Sequence, residues 1–485
     1  MIIGRHKEIK ILEQVVASRE AEFVALYGRR RVGKTYLVQQ CLSKKEIYLE
    51  CMGTKGGSLK KQLANFNKAF SQTFYPGLVL QAPNAWDQAF ELLTLEMGKI
   101  ARAKKIILFF DELPWLAVPK SRLIETIDYF WNAHWSKMPN LKLIVCGSAA
   151  SWILNNLINA QGGLYNRITK IMLLEPFNLC ETKEFLESRS IKISQKQTLD
   201  LYMIMGGIPY YLKQIERSKS IIQNINELCF KKDGLLYTEF ERLFQSLFKQ
   251  SQTNLQIVKE ISKHPYGLSM SILLKKIKKT AGGTFNERLR ELEACGFIQK
   301  ILPHDRTKRD HLYKVIDEYT LFYLKWIDSL REGQLIPNNE NYWQTIVRSP
   351  SWYSWSGIAF ENVCIKHIHL IIKALGLHGM ISRLSNWQFR AALGSKEEIG
   401  AQIDMLLERA DGAITVCEMK YTTELFSIDK SYAKNLENKL ECLQKAFAKD
   451  RQLFLAIVTV AGLKKNMWSE DLVHQTVILK DLFEK

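Results

Sequence analysis

The sequence is poor in the features that mark membrane, secreted and disordered proteins. No uninterrupted apolar run approaches the roughly 18 to 20 residues that span a bilayer, and the opening stretch MIIGRHKEIK lacks the apolar core of a signal peptide. No Pro-, Gly- or Ser-rich tract indicates a long disordered segment. The nine cysteines are scattered without a C-x-x-C pair, which is typical of reduced, buried thiols. We therefore expect a soluble, cytoplasmic chain with no membrane insertion.

Acidic residues are also in short supply relative to basic ones. The chain carries 68 Lys and Arg against 50 Asp and Glu, a formal net charge of +18. Lys and Arg that meet phosphates displace condensed counterions, so this balance favours a polyanionic partner. Nucleic acid, with DNA first, is the expected partner, and an anionic membrane surface is the weaker option. For any single basic cluster, a solvated surface is the alternative.

One segment, EFVALYGRRRVGKTYLVQQCL, predicts a strand, a glycine-bounded loop and a helix, which is the context that a P-loop requires. Gly28 and Gly33 let backbone amides turn toward a β-phosphate, and the helix N-terminus adds positive partial charge. Lys34 is expected to bridge the β- and γ-phosphates, and the Thr35 hydroxyl to bind Mg²⁺. The sequence therefore predicts an ATP site with Mg²⁺ at these residues.

Two further apolar strands end in polar residues. KKIILFFDELPWL ends in Asp111, expected to orient the Mg²⁺ shell, and Glu112, expected to polarise the attacking water. LKLIVCGS ends in Ser148, which either senses the γ-phosphate or caps the next helix. Together with the P-loop, these strands predict ATP hydrolysis.

Three flanking positions have two interpretations each. Arg5, in IIGRHKEIK, either shapes the adenine pocket or lies at an ordinary helix start. Arg167, in LYNRIT, either supplies a cation to the transition state or pairs with a carboxylate. Pro209, in MGGIPYYL, begins a further helix after a glycine pair, although that combination is also typical of a turn.

These strings occur in an order that resembles the archaeal-type ATPase family, on the AAA+/STAND side of P-loop proteins. The strings are LYGRRRVGKT, FFDELPWL, CGSAASW, LYNRIT followed by LLEPF, and GGIPYYL. The resemblance covers roughly residues 1 to 330. It implies that Arg167 and Pro209 lie near the nucleotide. It also implies a homo-oligomer, because AAA+ sites often borrow an arginine from a neighbour, so Arg167 acts in cis or in trans.

Residues 252 to 318 have the periodicity of three short helices followed by two strands with a charged loop, a winged-helix arrangement. The third helix carries charges that sum to minus one: Glu287, Arg288, Arg290, Glu291 and Glu293. Such a helix argues against base-specific reading in the major groove. The loop residues Arg306, Lys308 and Arg309 suit phosphate contacts. DNA contact and a purely structural role both remain open.

Near the C-terminal end, AQIDMLLERADGAITVCEMKYT predicts two strands joined by a turn. Because strand side chains alternate, Glu418 and Lys420 share one face, and a hairpin partner brings Asp404 beside them. Two carboxylates and a lysine on neighbouring strands are able to hold Mg²⁺ and activate a water. A solvated strand pair is the alternative.

With AFEN upstream, this D-x13-E-x-K pattern resembles the PD-(D/E)xK restriction-endonuclease-like fold that follows the ATPase in the DUF234-type architecture. The resemblance implies that Asp404 and Glu418 bind metal, with Mg²⁺ or Mn²⁺ as the ion. It implies that Lys420 positions the water and that Glu361 completes the metal shell. Gln402 lies on the same side of the strand as Asp404 and is expected to assist.

The predicted fold class is α/β and multidomain: a P-loop AAA+-like parallel sheet with a helical lid, a winged helix and a restriction-endonuclease-like α/β domain. The predicted boundaries are 1–180 for the ATPase core, 181–250 for the lid, 251–318 for the winged helix, 319–345 for a helical linker and 346–485 for the nuclease-like domain. The leading function is an ATPase coupled to a metal-dependent DNA nuclease, in DNA processing or defence. The alternatives are a STAND-like signalling or oligomerisation switch with an inactive nuclease fold, and a sequence-specific regulator, which the acidic third helix disfavours.

Overall fold

The computed structural model divides the chain into two compact units. It describes residues 2–44, 47–158, 164, 166–248, 250–280, 282–303, 311–332, 342–389, 401–446 and 448–484, without the side chains of 386–389 and 401. The first unit comprises Met1–Pro176, Ile208–Tyr210 and Gln245–Lys249, and the second comprises the remaining residues. Across these ranges, no helix combines the length and the apolar character that a membrane crossing demands.

The first unit is built on a parallel five-stranded sheet, as the sequence predicts. Its strands are β1 (Glu22–Tyr27), β2 (Ile47–Met52), β3 (Ile106–Asp111), β4 (Leu141–Gly147) and β5 (Lys170–Leu173). Their order in the sheet is β2-β3-β4-β1-β5, with every neighbouring pair parallel. Every residue of β3 and β4 is buried, as expected for parallel strands covered on both faces.

In the described ranges, seven α-helices lie wholly in this unit: α1 (His6–Ala17), α2 (Lys34–Leu42), α3 (Leu59–Phe74), α4 (Trp86–Gly98), α5 (Leu113–Leu116), α6 (Leu123–Ala133) and α7 (Ala150–Ile153). An aromatic core joins them to the sheet: the Phe90 ring of α4 lies 5.8 Å from Phe110 of β3 and 5.0 Å from Trp135. Since β4 lies between β1 and β3, the residues that follow all three strands meet at one edge of the sheet.

The second unit contains most of the remaining helices. They are α8 (Leu179–Ser188), α9 (Gln195–Met205), α10 (Pro209–Leu212), α11 (Ile221–Ile225), α12 (Leu235–Leu247), α13 (Ser251–Ser262), α14 (Met270–Ile277), α15 (Gly283–Ala294), α16 (Glu318–Phe322), α17 (Asp328–Glu332), α18 (Tyr342–Ile346), α19 (Pro350–Lys366), α20 (Ile368–Ala374), α21 (Lys430–Ala446) and α22 (Met467–Leu472). Of these, α10 and α12 each give a few residues to the first unit.

The three helices and two strands predicted for residues 252 to 318 are present. Helices α13, α14 and α15 are followed by β7 (Ile298–Ile301) and β8 (Leu312–Val315), and a short strand that was not predicted, β6 (Leu268–Ser269), completes a sheet of order β6-β8-β7. In α15, Arg288 is buried and lies 2.8 Å from Glu291. The winged-helix assignment stays a prediction, and Arg306, Lys308 and Arg309 lie outside the described residues.

The C-terminal part of the chain forms a second five-stranded sheet, with both parallel and antiparallel strands. It consists of β9 (Ile381–Phe389), β10 (Ala401–Arg409), β11 (Ile414–Lys420), β12 (Leu453–Thr459) and β13 (Gln475–Ile478), in the order β13-β12-β11-β10-β9. The predicted strand-turn-strand over β10 and β11 is confirmed as an antiparallel pair, whereas β11, β12 and β13 run parallel. The boundaries predicted for the lid, winged helix, linker and nuclease-like domain stay predictions.

Candidate functional site

The loop after β1 has a backbone that requires glycine at both ends. Gly28 has a φ of 148°, and a Cβ added there would lie 2.3 Å from the Leu174 carbonyl oxygen. Gly33, with a φ of 96°, is the N-cap of α2, which begins at Lys34. Both backbone conformations are strained for residues that carry a Cβ. The loop therefore presents the N-terminus of α2, and this end of a helix attracts anions.

Lys34 lies folded back over the loop. Its side chain is only 6% exposed, and its Nζ donates hydrogen bonds to the carbonyl oxygens of Gly28 and Arg29, each at 2.9 Å. A buried ammonium needs acceptors or an anion, and the loop itself supplies two acceptors. The positive charge is thus fixed at the loop where the sequence predicts the phosphates to lie.

The two side chains predicted to serve Mg²⁺ are in direct contact. Thr35 Oγ1 donates a hydrogen bond to Asp111 Oδ2 at 2.7 Å. The other carboxylate oxygen, Asp111 Oδ1, accepts from the Glu112 backbone N–H at 2.9 Å. A hydroxyl beside a carboxylate fits Mg²⁺, which takes one or two protein oxygens and completes its shell with water and substrate phosphates.

Glu112 is connected to Ser148 at the end of the neighbouring strand. Glu112 Oε2 accepts hydrogen bonds from the Ser148 backbone N–H at 3.1 Å and from its hydroxyl at 2.9 Å. Burial raises the pKa of Glu112, and the nearby Lys34 ammonium opposes that shift. Helix α7 has Ala149 as its N-cap, without a side-chain cap. The interpretation of Ser148 as a helix cap is therefore wrong, because its hydroxyl serves Glu112.

Two arginines connect the P-loop to other parts of the first unit. Arg5 is buried, and its Nη2 donates to the Val32 carbonyl oxygen at 3.2 Å; it contacts the P-loop as well as lying at a helix start. The Arg31 guanidinium lies 4.2 Å from the ring centre of Tyr210. Tyr210 directly follows Pro209, the first residue of α10. Tyr210 was not predicted to contribute, and its only sequence signal is its place beside the GGIP string.

Arg167 lies apart from these contacts. It is exposed, in a turn in which its backbone N–H donates to the Leu164 carbonyl oxygen, shortly before β5. Among the described residues its guanidinium makes neither a hydrogen bond nor an ion pair. The structure therefore does not place Arg167 in side-chain contact with the P-loop, and its predicted role stays a prediction.

In the second unit, the side chains predicted for the nuclease-like site converge. Asp404 Oδ2 on β10 accepts from the Met419 backbone N–H of β11 at 2.9 Å. On β11, Lys420 Nζ lies 3.5 Å from Glu418 Oε2. Glu361 comes from α19, and burial followed by the Asp404 charge raises its pKa to about 7. These residues share one electrostatic environment.

Glu418 has partners that were not predicted. Its side chain is fully buried, and Lys439 Nζ lies 2.8 Å from both of its carboxylate oxygens. Tyr432 donates its hydroxyl proton to Oε2 at 3.4 Å. Tyr432 and Lys439 are seven residues apart on α21, so they share a face of that helix. That spacing is the only sequence signal for them.

Two further residues reach this site from the segment before α16. Lys314 Nζ on β8 lies 3.9 Å from Glu361 Oε2, and burial lowers the pKa of Lys314. Burial followed by the Glu361 charge raises the pKa of the Tyr266 hydroxyl, and the Gln402 side chain opposes that shift. Neither residue was predicted, because no local pattern links them to strands so far along the chain.

The C-terminal cluster does not fit a metal centre as it stands. Within the described ranges, no group of three or more His, Cys, Asp and Glu side chains is arranged to hold a metal ion. Both oxygens of Glu418 are bound to Lys439, so their lone pairs are engaged by an ammonium. The metal-binding roles of Glu361, Asp404 and Glu418 stay predictions.

Comparison with known proteins gives one family match and several relatives. A family model described as an ATPase domain predominantly from Archaea matches residues 2–215. An uncharacterized protein of Methanocaldococcus jannaschii is 24% identical over 415 residues, 84% of each chain. An uncharacterized ATP-binding protein of the same organism is 43% identical over 47 residues, which are 10% of this chain and 80% of that protein.

Solved structures to which this chain is similar include a Walker-type ATPase of Pyrococcus abyssi, with a TM-score of 0.49 and 18% identity, covering 67% of this chain and 96% of that one. The ORC2 protein of Aeropyrum pernix, in complexes with ADPNP and ADP, has a TM-score of 0.41 and 13% identity, covering 68% and 94%. The matched residues 2–215 include the whole P-loop. This part of the chain is therefore similar to the ATPase domains that occur predominantly in Archaea.

Proposed function

We propose that the first unit hydrolyses ATP at the P-loop and that the nucleotide cycle drives or switches a DNA-processing machine. The observation that carries the proposal is a continuous chain of hydrogen bonds from Thr35 through Asp111 to Glu112 and Ser148. These hydrogen bonds link the predicted Mg²⁺ ligands to the predicted base. When bound there, Mg²⁺ would neutralise phosphate charge.

Lys34 and Glu112 have different roles in this proposal. The Lys34 ammonium exchanges its two carbonyl acceptors for β- and γ-phosphate oxygens, which are stronger acceptors because they are charged. Glu112 accepts the proton of the attacking water. Its raised pKa favours that acceptance while the carboxylate stays ionised, and Ser148 holds the carboxylate in position.

The test is ATP hydrolysis by the purified chain with Lys34→Ala and Glu112→Gln variants. We expect Lys34→Ala to lose ATP binding, and Glu112→Gln to bind ATP but lose turnover by about a hundredfold or more. Glu125→Gln, an exposed acid on α6, is the matched control. Full turnover by Glu112→Gln would remove Glu112 from the proposed mechanism.

An exposed Arg167 supports a role toward a neighbouring copy in a homo-oligomer. Mixing two inactive variants tests this idea: Lys34→Ala lacks a working P-loop but keeps Arg167, and Arg167→Ala has the reverse defect. If Arg167 acts in trans, the mixture recovers part of the ATPase activity of the unmodified chain. No recovery, with both variants folded, argues for action in cis or for no role.

A second candidate function is phosphodiester cleavage by the C-terminal site with Mg²⁺ or Mn²⁺. The convergence of Asp404, Glu361 and Lys420 favours it, as does the net charge of +18. The hydrogen bonds from Lys439 Nζ to both carboxylate oxygens of Glu418 favour the alternative. In that alternative the nuclease-like fold is inactive and serves as an interaction surface of a STAND-like switch.

Cleavage assays separate these two possibilities. Linear, circular and single-stranded DNA are incubated with the full chain, with and without ATP and with either metal ion. An active nuclease loses cleavage in Glu418→Ala and Lys420→Ala but not in Glu424→Gln, an exposed acid after β11. Absence of cleavage in every condition removes the nuclease while leaving the ATPase proposal intact.

A further inference from the structure

A cavity of about 360 Å³ lies in the second unit. Its walls come from the end of α13, from β8, from α16 and the segment after it, and from one face of α19. Pockets that bind small ligands have volumes of roughly 300 to 1,000 Å³. We infer that this cavity binds a nucleotide unit, an aromatic base with a phosphate.

The charged side chains that line the cavity are basic. Among the described residues, Lys263, Lys314 and Lys325 line it, and no Asp or Glu does. Lys263 is paired with Glu260 at 2.8 Å and Lys314 lies 3.9 Å from Glu361. Lys325, within the described part of the chain, has no carboxylate at ion-pair distance. Lys325 is therefore the cation available to a phosphate.

The inner wall suits a flat, apolar ring with an N–H group. Trp355 lines the cavity together with aliphatic side chains such as Leu324 and Ile358. Asn362 is 1% exposed, and its Nδ2 donates to the Val315 carbonyl oxygen at 3.4 Å. Its Oδ1 has no hydrogen-bond donor among the described residues. A buried acceptor without a donor is unfavourable, and a nucleobase N–H would satisfy it.

A free nucleotide and the terminal nucleotide of a nucleic-acid strand share this chemistry. Binding of AMP and of a 5′-phosphorylated oligoadenylate to the full chain is measured by calorimetry, with Lys34→Ala in every protein to remove the P-loop contribution. Adenosine and inorganic phosphate serve as the two half-ligands. We expect both to bind more weakly than AMP, because adenosine contacts only the wall with Trp355 and Asn362 and phosphate contacts only Lys325.

Three variants test the assignment. Ser354→Trp places a large ring in the cavity from an exposed position and is expected to abolish binding. Lys325→Ala and Asn362→Leu each remove one polar contact and are expected to weaken binding about three- to tenfold. Lys445→Ala, an 80% exposed lysine on α21, is the control and is expected to change nothing.

Comparing AMP with the oligonucleotide shows whether the natural ligand is a free nucleotide or the end of a nucleic-acid strand. AMP binding without competition by the oligonucleotide identifies a free nucleotide, and tighter binding of the oligonucleotide identifies a strand end. Either result supports the cavity as a nucleotide site if the Ser354→Trp variant no longer binds the ligand. Failure of both ligands to bind at millimolar concentration, or binding that survives Ser354→Trp, overturns the inference. These outcomes are independent of ATP hydrolysis and of DNA cleavage.

Discussion

Ser148 shows how a single hydroxyl tunes the predicted base of the ATPase site. Its hydroxyl and its backbone N–H both donate to Glu112 Oε2, and each donor favours the charged carboxylate. Burial raises the pKa of Glu112, and the Ser148 hydroxyl lowers it. Without the hydroxyl, the pKa of Glu112 therefore rises further. Because the Glu112 carboxylate also loses a donor that holds it in position, we expect turnover of Ser148→Ala to fall about tenfold or more, with ATP affinity little changed.

The acid limb of the turnover profile of Ser148→Ala should also move to higher pH, since the carboxylate is then harder to ionise. Ser151→Ala, in the same CGSAASW string, is the control. Steady-state kinetics across pH measure both effects. An acid limb that stays in place would show that the Ser148 hydroxyl does not tune Glu112.

His367 predicts a pH-dependent stability in the second unit. Its Nδ1 donates to the Val363 carbonyl oxygen at 2.8 Å, and its Nε2 accepts from the Leu179 N–H at the start of α8, at 3.1 Å. Burial lowers its pKa from 6.5 to about 4. The unfolded chain therefore binds more protons between these values, so stability is lost as the pH falls through this window.

The expected loss for His367 is up to about 3 kcal/mol in the free energy of unfolding. His367→Gln should be less stable at neutral pH but should lose less stability between pH 6.5 and 4. Denaturant titrations at several pH values measure this difference. A variant as pH-sensitive as the unmodified chain would contradict the assignment.

At the scale of elements, α21 stabilises β11 through one ion pair. Lys439 Nζ is the closest cation to the fully buried Glu418, at 2.8 Å, while Lys420 lies at 3.5 Å. Breaking a buried pair leaves an uncompensated charge, so Lys439→Met should lower the free energy of unfolding by about 3 to 5 kcal/mol. Lys445→Met, in an exposed pair on the same helix, should change it by about 1 kcal/mol at most.

Adding Glu418→Gln to Lys439→Met should recover much of that stability, because the buried charge is removed as well. Thermal unfolding of the single and double variants gives the comparison. If the double variant is no more stable than Lys439→Met alone, the loss comes from packing of the lysine stem and not from the charge.

The same elements explain what the sequence could predict. The P-loop, the acidic pair at the end of β3 and the β10–β11 hairpin are local patterns, in which strand, turn and polar residue follow one another along the chain. Lys439, Tyr266 and Lys314 depend instead on which helix or loop packs over a distant strand. Periodicity along the chain carries no information about that pairing, so these residues could not be predicted.

At the scale of the whole molecule, the ATPase unit is not one continuous stretch of chain. Residues Ile208–Tyr210 belong to it although they lie beyond Pro176. Through them Tyr210 reaches Arg31 of the P-loop. A cation–π contact of this kind contributes about 0.5 to 2 kcal/mol. Tyr210→Ala should therefore weaken ATP binding by about two- to thirtyfold.

Tyr210→Phe should retain the ATP affinity of the unmodified chain, because a phenyl face also attracts a cation. Tyr129→Ala removes an exposed tyrosine from α6 and is the control. Nucleotide titration of the full-length variants measures the affinities. Equal affinity of Tyr210→Ala and the unmodified chain would show that the Arg31 contact does not help to shape the nucleotide site.

Because the first unit is made of three separate segments of the chain, its exchange between proteins by recombination is restricted. A crossover near residue 180 would transfer the whole parallel sheet but would leave behind Ile208–Tyr210 and Gln245–Lys249. The recipient would then supply its own residue opposite Arg31. Inheritance of the ATPase as an intact block requires a crossover after residue 249, so α8 to α12 must be inherited together with the sheet.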